Sequence, residues 1–345
     1  MKRKKIKTVP ALLSLLAVAA VILILGQVRV RSASGSFRNA DASMPGYATE
    51  RLLEQLQSGD YHSLYEETMA VQPSMDAESA YTDMVERIIA KWGSDNLAVK
   101  CAGTACGLYA GDEYLAEIVL KETEAGWQAG LPLAGDRTVF VEVPAGEALV
   151  IHGETVSRDL ITEENVPASN GFQFADESKV PRVDIYQLDG LLSEPAADEL
   201  VLVQDPITGH YLAGRPVTDE ALKAEMIRDG ELIASYPAQD ASLGEVAAIA
   251  LTSSSWYQRY TTLQNYWFTA HRVHEFSNEQ VLRAAYQNDG TIVAHVVFDY
   301  FADNGEVHRT WDIGYQMTFL NTAEGWKVAG MEINNELNPN TVIPQ

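Results

Sequence analysis

Histidine and cysteine are the side chains here with the widest chemical range, and the chain holds seven of the first and two of the second. One histidine pair is close in sequence, His271 and His274 in HRVH. On a strand, side chains alternate between faces, so an i,i+3 pair points to opposite sides and cannot chelate one metal. On a helix both rings share a face, but no motif places a third ligand. No metal and no cofactor is therefore expected, and the histidines read as packed or solvated side chains. Cys101 and Cys106 flank AGTA, in which Gly103 and Thr104 can reverse the chain. A disulfide and two half-buried thiols remain equally weighted readings. Ser253, Ser254 and Ser255 precede Trp256 on a predicted helix, which is not the strand-to-helix elbow that exposes a nucleophile. No G-x-S-x-G elbow, Walker A loop, G-x-G-x-x-G fingerprint or HExxH helix occurs. Asp205 to Gly209 (DPITG) offers oxygens to calcium, yet it is far too short for an EF-hand loop and reads as a turn.

The elements that must position any site begin with an apolar segment. After the basic residues 1–8, residues 9–28 are uncharged and approach the length of about 20 residues that spans a bilayer, with Pro10 tolerated in the first turn. A transmembrane helix is expected there, with the lipid bilayer as its partner. Five leading cations keep the N-terminus cytoplasmic and send the rest outward as a single-pass cell-membrane protein, although Arg29, Arg31 and Arg38 weaken the asymmetry. A cleaved signal peptide is the rival, but the apolar run is longer than a usual h-region and no clear A-x-A site follows. Removing the five cations Lys2, Arg3, Lys4, Lys5 and Lys7 from the net charge of −23 leaves −28 for the remainder. That surface repels phosphate backbones, so no nucleic-acid partner is expected.

Residues 29–46 are polar and aperiodic and read as a linker. From Tyr47, Leu52, Leu53 and Leu56 recur at helical spacing, Gly59 breaks the run, and two further helices follow. The pattern then switches to period two over Leu97 to Leu108, Tyr114 to Lys121 and Trp127 to Leu131. Residues 47–135 thus form an α+β unit. Residues 136–216 contain almost no helical periodicity and read as a small all-β module, with His152-Gly153 as a tight turn. Residues 217–337 resume the first order. Helices around Asp219 to Arg228 and Leu243 to Leu263 precede strands near Trp267 to Phe276, Gln280 to Gln287, Thr291 to Phe301, His308 to Leu320 and Trp326 to Ile333, before a tail at 338–345. The endings LKETEAGWQAG at 120–130 and LNTAEGWKVAG at 320–330 suggest duplication. The fold class expected is α+β: a transmembrane helix, then two α+β domains separated by a small all-β module.

GDYHSLYEE near the start of the first unit and AEGWKVAGMEI near the end of the last resemble the nuclear transport factor/steroid isomerase-like superfamily, over roughly residues 47–133 and 219–335. The resemblance implies a bent sheet wrapped around helices into a cone, and pairing through the sheets into a homodimer. VPAGEALVIHG resembles the VPxGxxVxVNG hairpin of small domains in Gram-positive surface proteins, with His152 in place of the usual Asn. Isomerases and dehydratases of the superfamily use acidic, His and Tyr side chains inside the cone. In VVFDYF and TWDIGYQM this implies His295, Asp299, Tyr300, Asp312 and Tyr315 as catalytic candidates. A buried Asp there would have its pKa raised and act as acid or base, with Tyr donating a hydrogen bond.

Alternation argues against that assignment. Ile292, Ala294, Val296, Phe298 and Tyr300 form a core face, and His295 and Asp299 lie opposite with Val293, Val297 and Phe301. Asp312 shares a face with His308, Thr310 and Gln316, opposite Trp311, Ile313, Tyr315, Met317 and Phe319, so these polar groups are expected to face water. The leading functional reading is a non-catalytic, membrane-anchored, extracytoplasmic binding or scaffold protein whose partner is a cell-wall polymer, a peptide or another membrane protein. The alternatives are an exported enzyme using the C-terminal cone for acid–base isomerisation or hydrolysis, and a structural spacer.

Overall fold

The computed structural model describes residues 44–124, 126–173, 177–263 and 270–341. The chain divides into two compact units, Met1–Ala134 and Gly135–Gln345.

In the first unit three helices precede a four-stranded antiparallel sheet. Helix α1 (Pro45–Ser58) begins on a proline, whose missing N–H falls in the first turn, and ends where Gly59 adopts φ 79°. Asp60 caps α2 (Tyr61–Val71) by accepting the Ser63 N–H. After α3 (Glu78–Trp92) come β1 (Leu97–Ala102), β2 (Ala105–Ala110), β3 (Glu113–Thr123) and β4 (Gly126–Gly130), paired in that order. The Leu131 N–H, just past β4, donates to Thr68 Oγ1 at 3.0 Å, and Tyr81 Oη donates to Leu131 O at 3.1 Å. Backbone polar groups in this core are thereby satisfied by side chains. Cys101 and Cys106 stand directly opposite across the β1–β2 hairpin, Cα atoms 4.1 Å apart, and are joined by a disulfide.

The second unit is built on one nine-stranded sheet. Its strands are β5 (Arg137–Pro144), β8 (Ile161–Pro167), β9 (Arg182–Leu191), β10 (Val201–Gln204), β11 (Tyr211–Pro216), β12 (Val273–Asn288), β13 (Thr291–Asp303), β14 (His308–Thr322) and β15 (Gly325–Ile333). The order is β15-β14-β13-β12-β11-β5-β9-β8, with β10 on β11. A separate two-residue hairpin, β6 (Val150–Ile151) with β7 (Glu154–Thr155), turns at His152 and Gly153, both at positive φ. Helices α4 (Glu220–Ala238), α5 (Leu243–Ile249) and α6 (Ser255–Tyr260) contribute to one core with β12 to β15. Phe298, Tyr315 and Phe319 are fully buried there, and each such side chain contributes about 1.5–3 kcal/mol. Gly230 lets α4 lie close: a Cβ at that position would stand 3.1 Å from the Phe298 ring.

The expected fold class is corrected in its membrane element and in its partition. The fold is a mostly sheet α+β one with six helices among the described residues. The longest of these helices, α4, carries Glu220, Lys223, Glu225, Arg228, Asp229 and Glu231, and no described helix is long and apolar enough to cross a membrane. The helix expected over residues 9–28 lies outside the described residues. The expectations of a transmembrane helix, a signal anchor and a single-pass cell-membrane placement are withdrawn on this finding. Strands from residues 136–216 are also not apart from the last unit, because β11 pairs with β12 at Arg215 and Pro216. Gly214 permits this junction, since a Cβ there would stand 2.3 Å from Tyr286 O. The two strands expected before Gln287 are one strand, β12, with a register shift between Ser277 and Gln280 where Asn278 takes φ 57°.

Candidate functional site

Between the helices and the sheet of the second unit lies a cavity of about 380 Å³. α4 contributes Ile233 and Pro237, β15 contributes Met331 and Ile333, and Leu263 follows α6. Tyr260 and Tyr315 also line it. Tyr260 donates to Ile233 O, in a loose turn of aromatic rings with Trp256 at 5.1 Å and Tyr236 at 5.4 Å. Tyr315 is fully buried and its hydroxyl has no hydrogen-bond partner among the described residues. Burial pushes the pKa of both phenols well above the usual range, so both are neutral donors. Among the described residues, the lining carries no carboxylate or imidazole. Such a site can hold an apolar body and hydrogen-bond one polar group.

The five sequence candidates do not converge. Tyr300 and Tyr315 face the helices within the core, whereas His295, Asp299 and Asp312 lie on the other face of β13 and β14. His295 and Asp299 do not face water, in contrast to the expectation: they are 3% and 6% exposed. β10 covers the first, whose Nε2 donates to Gln204 O at 2.9 Å, and burial lowers its pKa. The C-terminal segment covers the second. Asp299 accepts from the amides of Asn278 at 2.7 Å, Asn338 at 3.0 Å and Asn340 at 2.8 Å, which leaves little of it for proton transfer. Asp312 stands directly opposite Asp299 and is half-buried, and its pKa is raised by burial and then by that neighbouring carboxylate.

A second cluster escaped sequence reasoning. Asp240 follows the C-terminus of α4, and His271 precedes β12, so strand alternation does not separate it from His274. His271 Nε2 lies 2.9 Å and His274 Nδ1 3.2 Å from Asp240 Oδ1, while Tyr300 Oη donates to Oδ2. Burial, followed by the hydrogen bond to Asp240, raises the Tyr300 pKa far above its ordinary value. The His274 ring stacks on Tyr300 with centroids 6.1 Å apart. HRVH was the visible part of this cluster. Nothing in the sequence linked it to a carboxylate 31 residues earlier. No protein-family model matches this chain, and among the curated proteins none matches it either.

Proposed function

We propose that this protein is a non-catalytic binding protein whose C-terminal unit holds a small, mainly apolar molecule bearing one polar group that meets the Tyr315 hydroxyl. The observation that carries this reading is that Tyr315, whose buried hydroxyl has no partner among the described residues, lines a cavity whose other described lining is apolar apart from Tyr260. Leaving such a hydroxyl unsatisfied costs about 1–3 kcal/mol, a cost that a ligand's acceptor or donor removes. The cavity, at about 380 Å³, falls within the range of roughly 300–1,000 Å³ typical of ligand sites. Binding is favoured over acid–base catalysis because the titratable groups among the described lining residues are two high-pKa phenols, and Asp299 is engaged by three amides on the opposite face. The order of helices before an antiparallel sheet also agrees with the resemblance to the nuclear transport factor-like superfamily, which we carry as part of the same proposal.

The test is a thermal-shift screen of the full chain against phenols, medium-chain alcohols and ketones, with sugars and dicarboxylates as polar comparators. A ligand at 100 times its Kd stabilises the folded state by about 2.7 kcal/mol. Upshifts confined to the apolar series are expected. Upshifts confined to the sugars or dicarboxylates would contradict the reading.

A further inference from the structure

We propose that Asp240, His271 and His274 form a binding site for a divalent cation of the zinc class, separate from the apolar cavity. Their donor atoms all lie within 4.8 Å of one another. Zinc bonds of about 2.0–2.2 Å in tetrahedral geometry set ligand atoms about 3.3 Å apart. Asp240 Oδ1 already stands 2.9 Å from His271 Nε2 and 3.2 Å from His274 Nδ1, so two of the three ligand pairs are already near the spacing that a tetrahedral ion sets. Each ring then presents a lone pair at that nitrogen and keeps its proton on the other one.

The surroundings fit this use. Tyr300 Oη donates to Asp240 Oδ2, which fixes the carboxylate and leaves Oδ1, the oxygen shared by both imidazoles, for the ion. An outer hydrogen bond of this kind to a ligating carboxylate is a regular feature of metal centres. His271 and Asp240 side chains are only 7% and 13% exposed, while His274 at 43% leaves a way in from solvent. Two imidazoles and one carboxylate suit zinc and its neighbours rather than magnesium or calcium, which prefer all-oxygen shells. Three protein ligands leave a fourth position for water or a ligand atom. The chain's net charge of −23 draws cations toward it.

Isothermal titration of the full chain with Zn²⁺ tests the site, alongside Co²⁺ absorption to report geometry and Mg²⁺ as a comparator. One Zn²⁺ per chain is expected, with affinity reduced at least about a hundredfold in His271→Ala and in His274→Ala. Tyr300→Phe, which keeps all three ligands, is expected to lose about tenfold. His308→Ala is expected to bind as the unaltered chain does. Asp240→Asn preserves shape and gives a decisive loss even if a histidine variant does not fold, with circular dichroism checking each variant. Absence of Zn²⁺ binding to the unaltered chain, or undiminished binding in folded Asp240→Asn, would overturn the assignment.

Discussion

A tyrosine hydroxyl without a partner in an apolar core costs about 1–3 kcal/mol of desolvation, so Tyr315 would be more stable as phenylalanine unless a ligand uses the hydroxyl. Tyr315→Phe is expected to raise stability without ligand by about 1 kcal/mol in chemical denaturation. It should weaken ligands with a polar end about tenfold in titration, and hydrocarbon ligands hardly at all. Asp229 poses a second question at this scale. It sits 6% exposed on α4, and burial, then Glu225, pushes its pKa up to about 7 from 3.8. The unfolded chain therefore releases this proton first, and stability falls as pH rises from about 3.8 to about 7. Asp229→Asn should flatten that slope, with little effect near pH 4 and a gain on the order of 3 kcal/mol at pH 8, read from unfolding midpoints across pH.

At the scale of elements, the 334–341 segment acts as a clasp on β13 and β14. Asn338 Nδ2 contacts Phe298 O at 3.1 Å, Asp299 Oδ1 at 3.0 Å and Ile313 O at 3.1 Å, all buried. Asn338→Ala leaves those acceptors unsatisfied and is expected to cost about 2–4 kcal/mol, measured by denaturant unfolding at constant m-value. This clasp explains what alternation could and could not reveal. The period-two pattern of β13 and β14 correctly separated Tyr300, Phe298 and Tyr315 from His295, Asp299 and Asp312. It could not reveal that the second face is covered, because the covering groups come from β10 and from residues near 338, remote in sequence. Likewise, the hydrophobic pattern suggested two strands before Gln287 because Asn278 breaks the alternation through its left-handed φ, while the hydrogen-bonded ladder continues past it. The run from Leu243 to Leu263 read as one helix. Ala250 instead turns extended, bridging Val328, and divides it into α5 and α6.

At the scale of the whole molecule, the sequence carried the change from helical to strand periodicity in residues 47–135 and again in 217–337, since both periods are local. Pairing of β11 with β12 was not legible. It depends on close backbone approach at Gly214, and a glycine in sequence does not announce what lies above it. The apolar cavity was equally hidden, because Ile233, Tyr260, Tyr315 and Met331 come from four elements whose individual patterns say only that each is buried. The measurement that bears most directly on the central claim is a fluorescence titration of the full chain with the neutral apolar probe N-phenyl-1-naphthylamine. It should be run beside Met331→Trp, which places an indole in the cavity. Saturable, one-to-one, blue-shifted binding that is lost in a folded Met331→Trp variant is the expected result. Probe binding that is absent from the unaltered chain, or that survives unchanged in the filled variant, would contradict a ligand site at Tyr315.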